Sequence, residues 1–146
     1  MVYLGNLELL ATNHQGNKAA VKGSIFYYRL TGDIKTGSWA KTIIYDDFPV
    51  LNGGFNQAAP GAAKLFHPNV NEKGRSHIIL AGDGSQYAYY FEPSATGELS
   101  YTMKWRFRFF DTIGEIAVGD INGDGFTEAF IPIYEKNACH VYSFKP

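Results

Sequence analysis

The sequence has one cysteine, no long apolar run and almost no net charge, and each shortage excludes a class of protein. The lone thiol, Cys139, cannot form an internal disulfide, and its place in an aromatic strand favours a buried, unreactive side chain. No apolar stretch approaches the ~18 residues that span a membrane. The first residues lack the basic-then-apolar pattern of a signal peptide, and we expect a soluble chain. The formal charge of -1 gives no electrostatic reason to expect nucleic acid or an anionic membrane as partner.

Signals for helices and for catalysis are equally scarce. No window of eleven or more residues has apolar positions at i, i+3, i+4 and i+7, whereas period-two alternation recurs, most clearly in Met103–Phe109. No histidine lies in an H-x-x-x-H or H-E-x-x-H arrangement, and neither a G-x-S-x-G elbow nor a Gly-rich phosphate loop is present. The acidic pair Asp46–Asp47 is interpreted as a solvated turn. The sequence therefore predicts a protein that is not an enzyme.

Aromatic residues and glycine are abundant. Aromatic side chains make up 16% of the 146 residues, hydrophobic ones 45%, and there are sixteen glycines. Bulky rings pack well on a pleated sheet, and frequent glycines are typical of the turns between strands. The composition predicts an all-β fold, and the length suits a single domain over residues 1–146.

Three segments of the chain share one layout. Each has an apolar strand, a polar or Gly-containing turn and an aromatic strand, over Leu7–Leu30, His77–Pro93 and Thr127–Pro146, with the endings FYYRL, YYFEP and YSFKP. A further strand follows the first two, and a small-residue strand precedes the last two: Ser38–Tyr45, Leu99–Phe109, Ala58–Phe66 and Ile113–Ile121. The repeat units are thus roughly 1–47, 56–110 and 111–146. If the four strands of a propeller blade are lettered A to D from the centre outward, the strand order reads B-C-D, A-B-C-D, A-B-C. This order predicts about two and a half four-stranded blades of β-propeller type.

Two or three blades cannot close a propeller ring, which typically needs four to eight. The incomplete blades would leave unpaired strand edges. We therefore expect the chain to be part of a larger propeller or to be completed by oligomerisation with identical or different chains.

A short acidic loop is the clearest candidate site. Asp120, Asn122, Asp124 and Glu128 occupy positions 1, 3, 5 and 9 of this loop, and the carbonyl of Phe126 stands at position 7. Calcium takes six to eight oxygen ligands from carboxylates, amides and carbonyls, and alternate positions of a tight loop point to one centre. An EF-hand is excluded because position 12 is isoleucine and the flanking segments alternate as strands. The sequence predicts a calcium site on a strand-to-strand loop.

The segment GEIAVGDINGDGFTEAFIPIY resembles the FG-GAP repeat, also called the VCBS or integrin α-type repeat. That repeat has the pattern strand, D-x-D-x-D-G-x-x-D, strand. Here Asn122 and Glu128 replace two of the aspartates. The resemblance implies a calcium-stabilised β-propeller. In the middle unit, Ala81–Gln86 resembles a degenerate turn without metal, and in the first unit Glu8 stands where Glu128 stands, which we interpret as a structural position.

We expect a non-catalytic, calcium-stabilised binding or scaffolding module whose ligand is a protein, a glycan or a small hydrophobic molecule. The alternative is a fragment or subunit of a calcium-dependent propeller enzyme that acts on polysaccharide. The Gly/Asn-rich segment Asn52–Pro60 is a candidate ligand loop, although a plain connection is the favoured interpretation. The sequence assigns no ligand-binding residues. Because calcium is millimolar outside cells, an extracellular, secreted setting is expected.

Overall fold

The computed structural model describes residues 7–16, 22–51, 58–94 and 100–146. These residues contain strands and one short 3-10 turn at Asp83–Ser85, and no α-helix. The strands are β1 Glu8–Asn13, β2 Gln15–Gly16, β3 Gly23–Thr31, β4 Ser38–Phe48, β5 Ala58–Ala59, β6 Ala63–Phe66, β7 His77–Ala81, β8 Tyr87–Pro93, β9 Tyr101–Arg108, β10 Ala117–Gly119, β11 Glu128–Ile133 and β12 Ala138–Ser143. Within this part of the chain, no helix is long and apolar enough to cross a membrane. The all-β prediction is confirmed.

The strands form three antiparallel sheets that follow one another along the chain. Sheet 1 has the order β1-β3-β4, sheet 2 the order β6-β7-β8-β9, and sheet 3 the order β10-β11-β12. A small ladder joins β2 to β5. Within each sheet, paired strands follow one another in the chain. The one exception is the pair β1 and β3, because β2 lies between them in the sequence. None of the three sheets closes on itself.

Some predicted strands differ from the observed ones. The predicted strand Ala58–Phe66 is divided at Pro60, so that β5 pairs with β2 and β6 pairs with β7. Proline has no N–H to continue a ladder. In sheet 3, the predicted strand Ile113–Ile121 is reduced to β10 and an isolated bridge between Ile113 and Ile133.

β4, the outer strand of sheet 1, is longer than predicted. β4 extends to Phe48, whose side chain is buried in the core between sheets 1 and 2. The acidic pair Asp46–Asp47 therefore lies inside β4, exposed, and the predicted turn at this position was wrong.

Sheet 2 is buried on both faces. Ile78, Leu80, Tyr89 and Phe91 pack against sheet 1, in a core that includes Ile25 and Phe48. Ile79, Ala81, Ala88 and Tyr90 pack against sheet 3, in a second core with Ile113, Ile116, Ala129, Ile131 and Ile133. Since neighbouring side chains on a strand point to opposite faces, the continuous apolar run of β7 serves both cores. Sheet 2 is the middle layer of a three-sheet stack.

A β-bulge lets the outer strand of sheet 2 contribute to both cores. Tyr90 pairs with Trp105 and Phe91 with Met103, so Lys104 is an extra residue on β9. The extra residue shifts the alternation of side chains between the two faces. As a result Met103 packs toward sheet 1 and Trp105 toward sheet 3.

Cys139 lies on β12 and is exposed. The interpretation of a buried thiol was therefore wrong. Its neighbour His140 packs toward sheet 2 through the Phe109 ring, so the alternation of the strand points Cys139 to the opposite face, where no described element covers it.

Candidate metal loop and inter-sheet cleft

The acidic loop connects β10 to β11, and the carboxylate of Asp120 organises its first half. One oxygen of Asp120 accepts the backbone N–H groups of Gly123 at 2.8 Å and of Asp124 at 3.1 Å, and the other accepts the N–H of Gly125 at 2.9 Å. The loop thus wraps its backbone donors around one carboxylate, as a short aspartate-led turn does.

The next two polar side chains repeat this local pattern. Oδ1 of Asn122 accepts the N–H of Asp124 at 2.9 Å, and Oδ1 of Asp124 accepts the N–H of Phe126 at 2.9 Å. The amide nitrogen of Asn122 lies 3.4 Å from Oδ2 of Asp124. Gly123 and Gly125 have φ angles of 73° and 88°, a region that glycine enters without steric cost.

Glu128 ties the end of the loop to its beginning. Its side chain is 6% exposed. Oε2 accepts the N–H of Ile121 at 3.1 Å, and Oε1 accepts the hydroxyl of Ser143, on the paired strand β12, at 3.1 Å. The four predicted side-chain positions therefore lie on one compact loop. Phe126, the fifth predicted position, forms an isolated bridge with Asn69 in the connection between β6 and β7.

A lysine that the sequence reasoning missed contacts this loop. The Nζ atom of Lys145 lies 3.1 Å from Oδ2 of Asp124. The Phe126 N–H and then the Lys145 ammonium hold the pKa of Asp124 below its ordinary value. Because Lys145 is distant in sequence and beyond the last strand, only its place in the folded sheet reveals the contact.

The donor set of the loop fits calcium in kind. Carboxylate, amide and carbonyl oxygens are the ligands that calcium takes. Because an ionised carboxylate has about four lone-pair sites, an oxygen that already accepts an N–H can still bind an ion. Among the described residues, however, no group of three or more His, Cys, Asp or Glu side chains is placed to hold a metal. Lys145 would also have to leave Asp124.

The loop is bound to the connection between β6 and β7 of sheet 2. The N–H of Val70 donates to the carbonyl of Gly125 at 3.0 Å, and the N–H of Thr127 donates to the carbonyl of Pro68 at 2.9 Å. The hydroxyl of Thr127 donates to the carbonyl of His67 at 2.7 Å. The acidic loop is therefore a junction between sheets 2 and 3.

A cleft of about 410 Å³ lies between sheets 1 and 2, lined by Glu8, Leu65, Gly74, Arg75, Ser76 and Tyr101. Glu8 bridges two guanidinium groups, at 2.8 Å from Arg29 on the paired strand β3 and 2.8 Å from Arg75 on sheet 2. The hydroxyl of Tyr101 donates to the carbonyl of Ser76 at 3.1 Å. The cleft thus combines an aliphatic wall, a phenol and a charged floor.

Glu8 forms ion pairs with two arginines. Burial pushes the pKa of Glu8 upward, but hydrogen bonds and positive charge from Arg29 and Arg75 outweigh it, so this pKa lies below its ordinary value of 4.5. This arrangement is consistent with the interpretation of Glu8 as a structural position. Its pairing with Arg29 follows from the hairpin register, whereas Arg75 depends on how two sheets stack.

The remaining candidate positions fall into two groups. Asp83, in the degenerate turn of the middle unit, lies 2.7 Å from His14 and belongs to the 3-10 turn between β7 and β8. Of the candidate ligand loop, residues 52–57 lie outside the described residues, and Ala58 and Ala59 form β5.

No protein-family model, curated protein or solved structure matches this chain.

Proposed function

We propose that this chain is a calcium-stabilised, non-catalytic binding module built from propeller-type blades. Two observations support the propeller arrangement. Sheets of three, four and three strands follow the chain order, and sheet 2 packs face to face with both neighbours. The single observation that carries the calcium proposal is the Asp120 loop, with its carboxylate-capped turns and two glycines at positive φ.

The ion would be held by the side-chain oxygens of Asp120, Asn122, Asp124 and Glu128 together with the carbonyl of Phe126. When bound, calcium supplies a double positive charge that offsets the repulsion among three carboxylates. Because Gly125 and Thr127 bond to the sheet 2 connection, fixing the loop would also fix the junction between sheets 2 and 3. The role is structural, and the requirement for calcium favours an extracellular setting.

The binding role would fall to the cleft between sheets 1 and 2. Leu65 offers an aliphatic surface, while Arg75, Ser76 and Tyr101 offer donors and an aromatic ring around the same cleft. Pockets that combine apolar walls with a few convergent polar groups are the usual binding sites of small ligands. A saccharide, with its apolar faces and hydroxyl rim, suits this lining.

The calcium proposal is tested by thermal unfolding with and without chelator. Since a ligand that binds only the folded state stabilises it, EGTA should lower the melting temperature of the wild-type chain. Asp124→Ala should melt lower and should no longer respond to EGTA. The matched control is Asp46→Ala, an exposed aspartate on β4, which should keep the full response. A wild-type melting temperature that ignores EGTA would refute the calcium assignment.

The binding proposal is tested on a glycan array with the wild-type chain and Tyr101→Ala. Binding that disappears with Tyr101→Ala while the fold persists by circular dichroism would support the cleft. Incubation with a panel of polysaccharides tests the non-catalytic assignment. Release of shorter saccharides by the wild-type chain would refute the non-catalytic assignment and favour an enzyme that cleaves polysaccharide.

A further inference from the structure

The two outermost faces of the three-sheet stack both carry exposed apolar side chains. The first end face is the side of sheet 1 that points away from sheet 2. The strand register assigns its members, because Leu10 and Ile25 pack toward sheet 2 and their neighbours point the other way. They include Leu9, Phe26, Tyr28, Trp39, Lys41 and Ile43.

The last end face is the corresponding side of sheet 3. Ala129, Ile131 and Ile133 pack toward sheet 2, so the alternate residues of β11 and their cross-strand partners point away. They are Ala117, Glu128, Phe130, Pro132, Cys139, Val141 and Ser143. The residues are smaller than those of the first end face.

Both faces expose large hydrophobic side chains where no described element covers them. On the first end face, Leu9 is 50% and Ile43 52% exposed, and on the last end face Val141 is 59% exposed. Exposed apolar surface of this kind marks an interaction site.

We propose that a second copy of this chain covers both faces, with the last end face of each copy packed on the first end face of the other. The new junction has the same orientation as the two inside the chain. In sheets 1 and 2, the face toward the next sheet in the chain packs on that sheet, and the last end face would pack in the same way on the first sheet of the other copy. Protruding Leu9, Trp39 and Ile43 would meet the flatter Ala117, Cys139 and Val141.

The number of copies follows from the number of sheets. Head-to-tail contacts generate a closed ring when the rotation between copies closes. Two copies give six sheets, inside the usual range of four to eight for a propeller, whereas three copies give nine, outside it. The proposal rests on the propeller arrangement and is independent of calcium, because chelator sensitivity and assembly are separate measurements.

Light scattering during size-exclusion chromatography tests the assembly. The wild-type chain should elute with twice the 16.2 kDa mass of one chain. Ile43→Glu and Val141→Glu should each halve that mass, because a buried unpaired carboxylate opposes either junction. Val70→Glu is the matched control, since Val70 is 48% exposed but lies in the connection between β6 and β7 of the middle sheet, and it should keep the double mass.

Mixing the two variants separates a head-to-tail contact from a symmetric one. Ile43→Glu retains an intact last end face and Val141→Glu an intact first end face, so the equimolar mixture should form an open pair through one junction. A symmetric contact between like faces would give no such pair. Wild-type protein with the mass of one chain at every concentration, or an assembly that survives both substitutions, would overturn the proposal.

The single cysteine gives a readout that needs no substitution. Cys139 lies on the last end face and is exposed in the isolated chain, so its alkylation by iodoacetamide should slow severalfold as protein concentration rises through assembly. An alkylation rate that is independent of concentration while the mass doubles would place the contact on another surface and refute this one.

Discussion

Lys145 and a calcium ion would compete for the same oxygen. The lysine Nζ lies 3.1 Å from Oδ2 of Asp124, and its positive charge opposes a calcium ion at the same oxygen. We therefore expect Lys145→Met, which keeps the aliphatic stem, to tighten calcium binding by about 3- to 10-fold. Isothermal titration calorimetry measures the affinity. Lys145→Arg keeps the charge and should bind as the wild type does, and equal affinities for all three chains would contradict the competition.

Glu8 should make stability depend on pH. Its pKa in the folded chain lies below 4.5 because Arg29 and Arg75 outweigh the effect of burial. The carboxylate therefore contributes its full stability above pH 4.5, and the contribution is lost as the pH falls through the lowered folded value. We expect Glu8→Gln to reduce the free energy of unfolding by about 1–2 kcal/mol at pH 7, and by less at an acidic pH below the lowered folded pKa, as measured by urea denaturation.

A surface ion pair provides the control for Glu8. Glu115 pairs with Lys64 on the exposed surface, where such pairs contribute little to stability. Glu115→Gln should leave the urea midpoint unchanged at both pH values. If Glu8→Gln behaved as this control does, the bridge between sheets 1 and 2 would have no energetic role.

At the scale of single elements, the turn between β7 and β8 has no room for a side chain at Gly82. A Cβ there would lie 2.2 Å from the carbonyl oxygen of Tyr87 and 2.0 Å from Oγ of Ser85. We expect Gly82→Ala to cost about 3 kcal/mol of unfolding free energy, because overpacking forces the backbone to move. The double variant with Ser85→Ala should stay unstable, since the carbonyl remains. A urea midpoint close to the wild type would show that the turn adapts.

Most strands could be predicted from the sequence because their signals are local. The aromatic and β-branched runs of β3, β7, β8 and β11 contain the whole period-two pattern, and the turns between them carry glycine or polar residues. The grouping into units of three, four and three strands also follows from these local patterns, because antiparallel neighbours are joined by short connections. The boundaries failed where proline intervened, as at Pro60.

The site could be predicted only as far as it is contiguous in sequence. Asp120, Asn122 and Asp124 lie at alternate positions of one loop, so their common turn is readable from spacing alone. Lys145 and Arg75 reach their partners through strand pairing and sheet stacking, which no local pattern encodes. Cys139 was misplaced for the related reason that an alternating strand does not reveal which of its faces is covered.

At the scale of the whole molecule, stability depends on two junctions of different character. Sheets 1 and 2 are joined by a core around Phe48 and Phe91 and by the Glu8–Arg75 bridge. Sheets 2 and 3 are joined by a core around Ile79 and Ile131 and by the acidic loop. Only the second junction contains the proposed ion. Removal of calcium should therefore act on one side of sheet 2.

Hydrogen exchange can locate that effect. The amide of Val70 donates to Gly125 and the amide of Thr127 donates to Pro68, across the second junction. With EGTA, we expect both amides to exchange faster, because a loop whose carboxylates repel one another opens more often. Amides of β1 and β3 in sheet 1 should keep their exchange rates. Equal acceleration in all three sheets would mean that the ion stabilises the fold globally, and the idea of a local clamp between sheets 2 and 3 would be wrong.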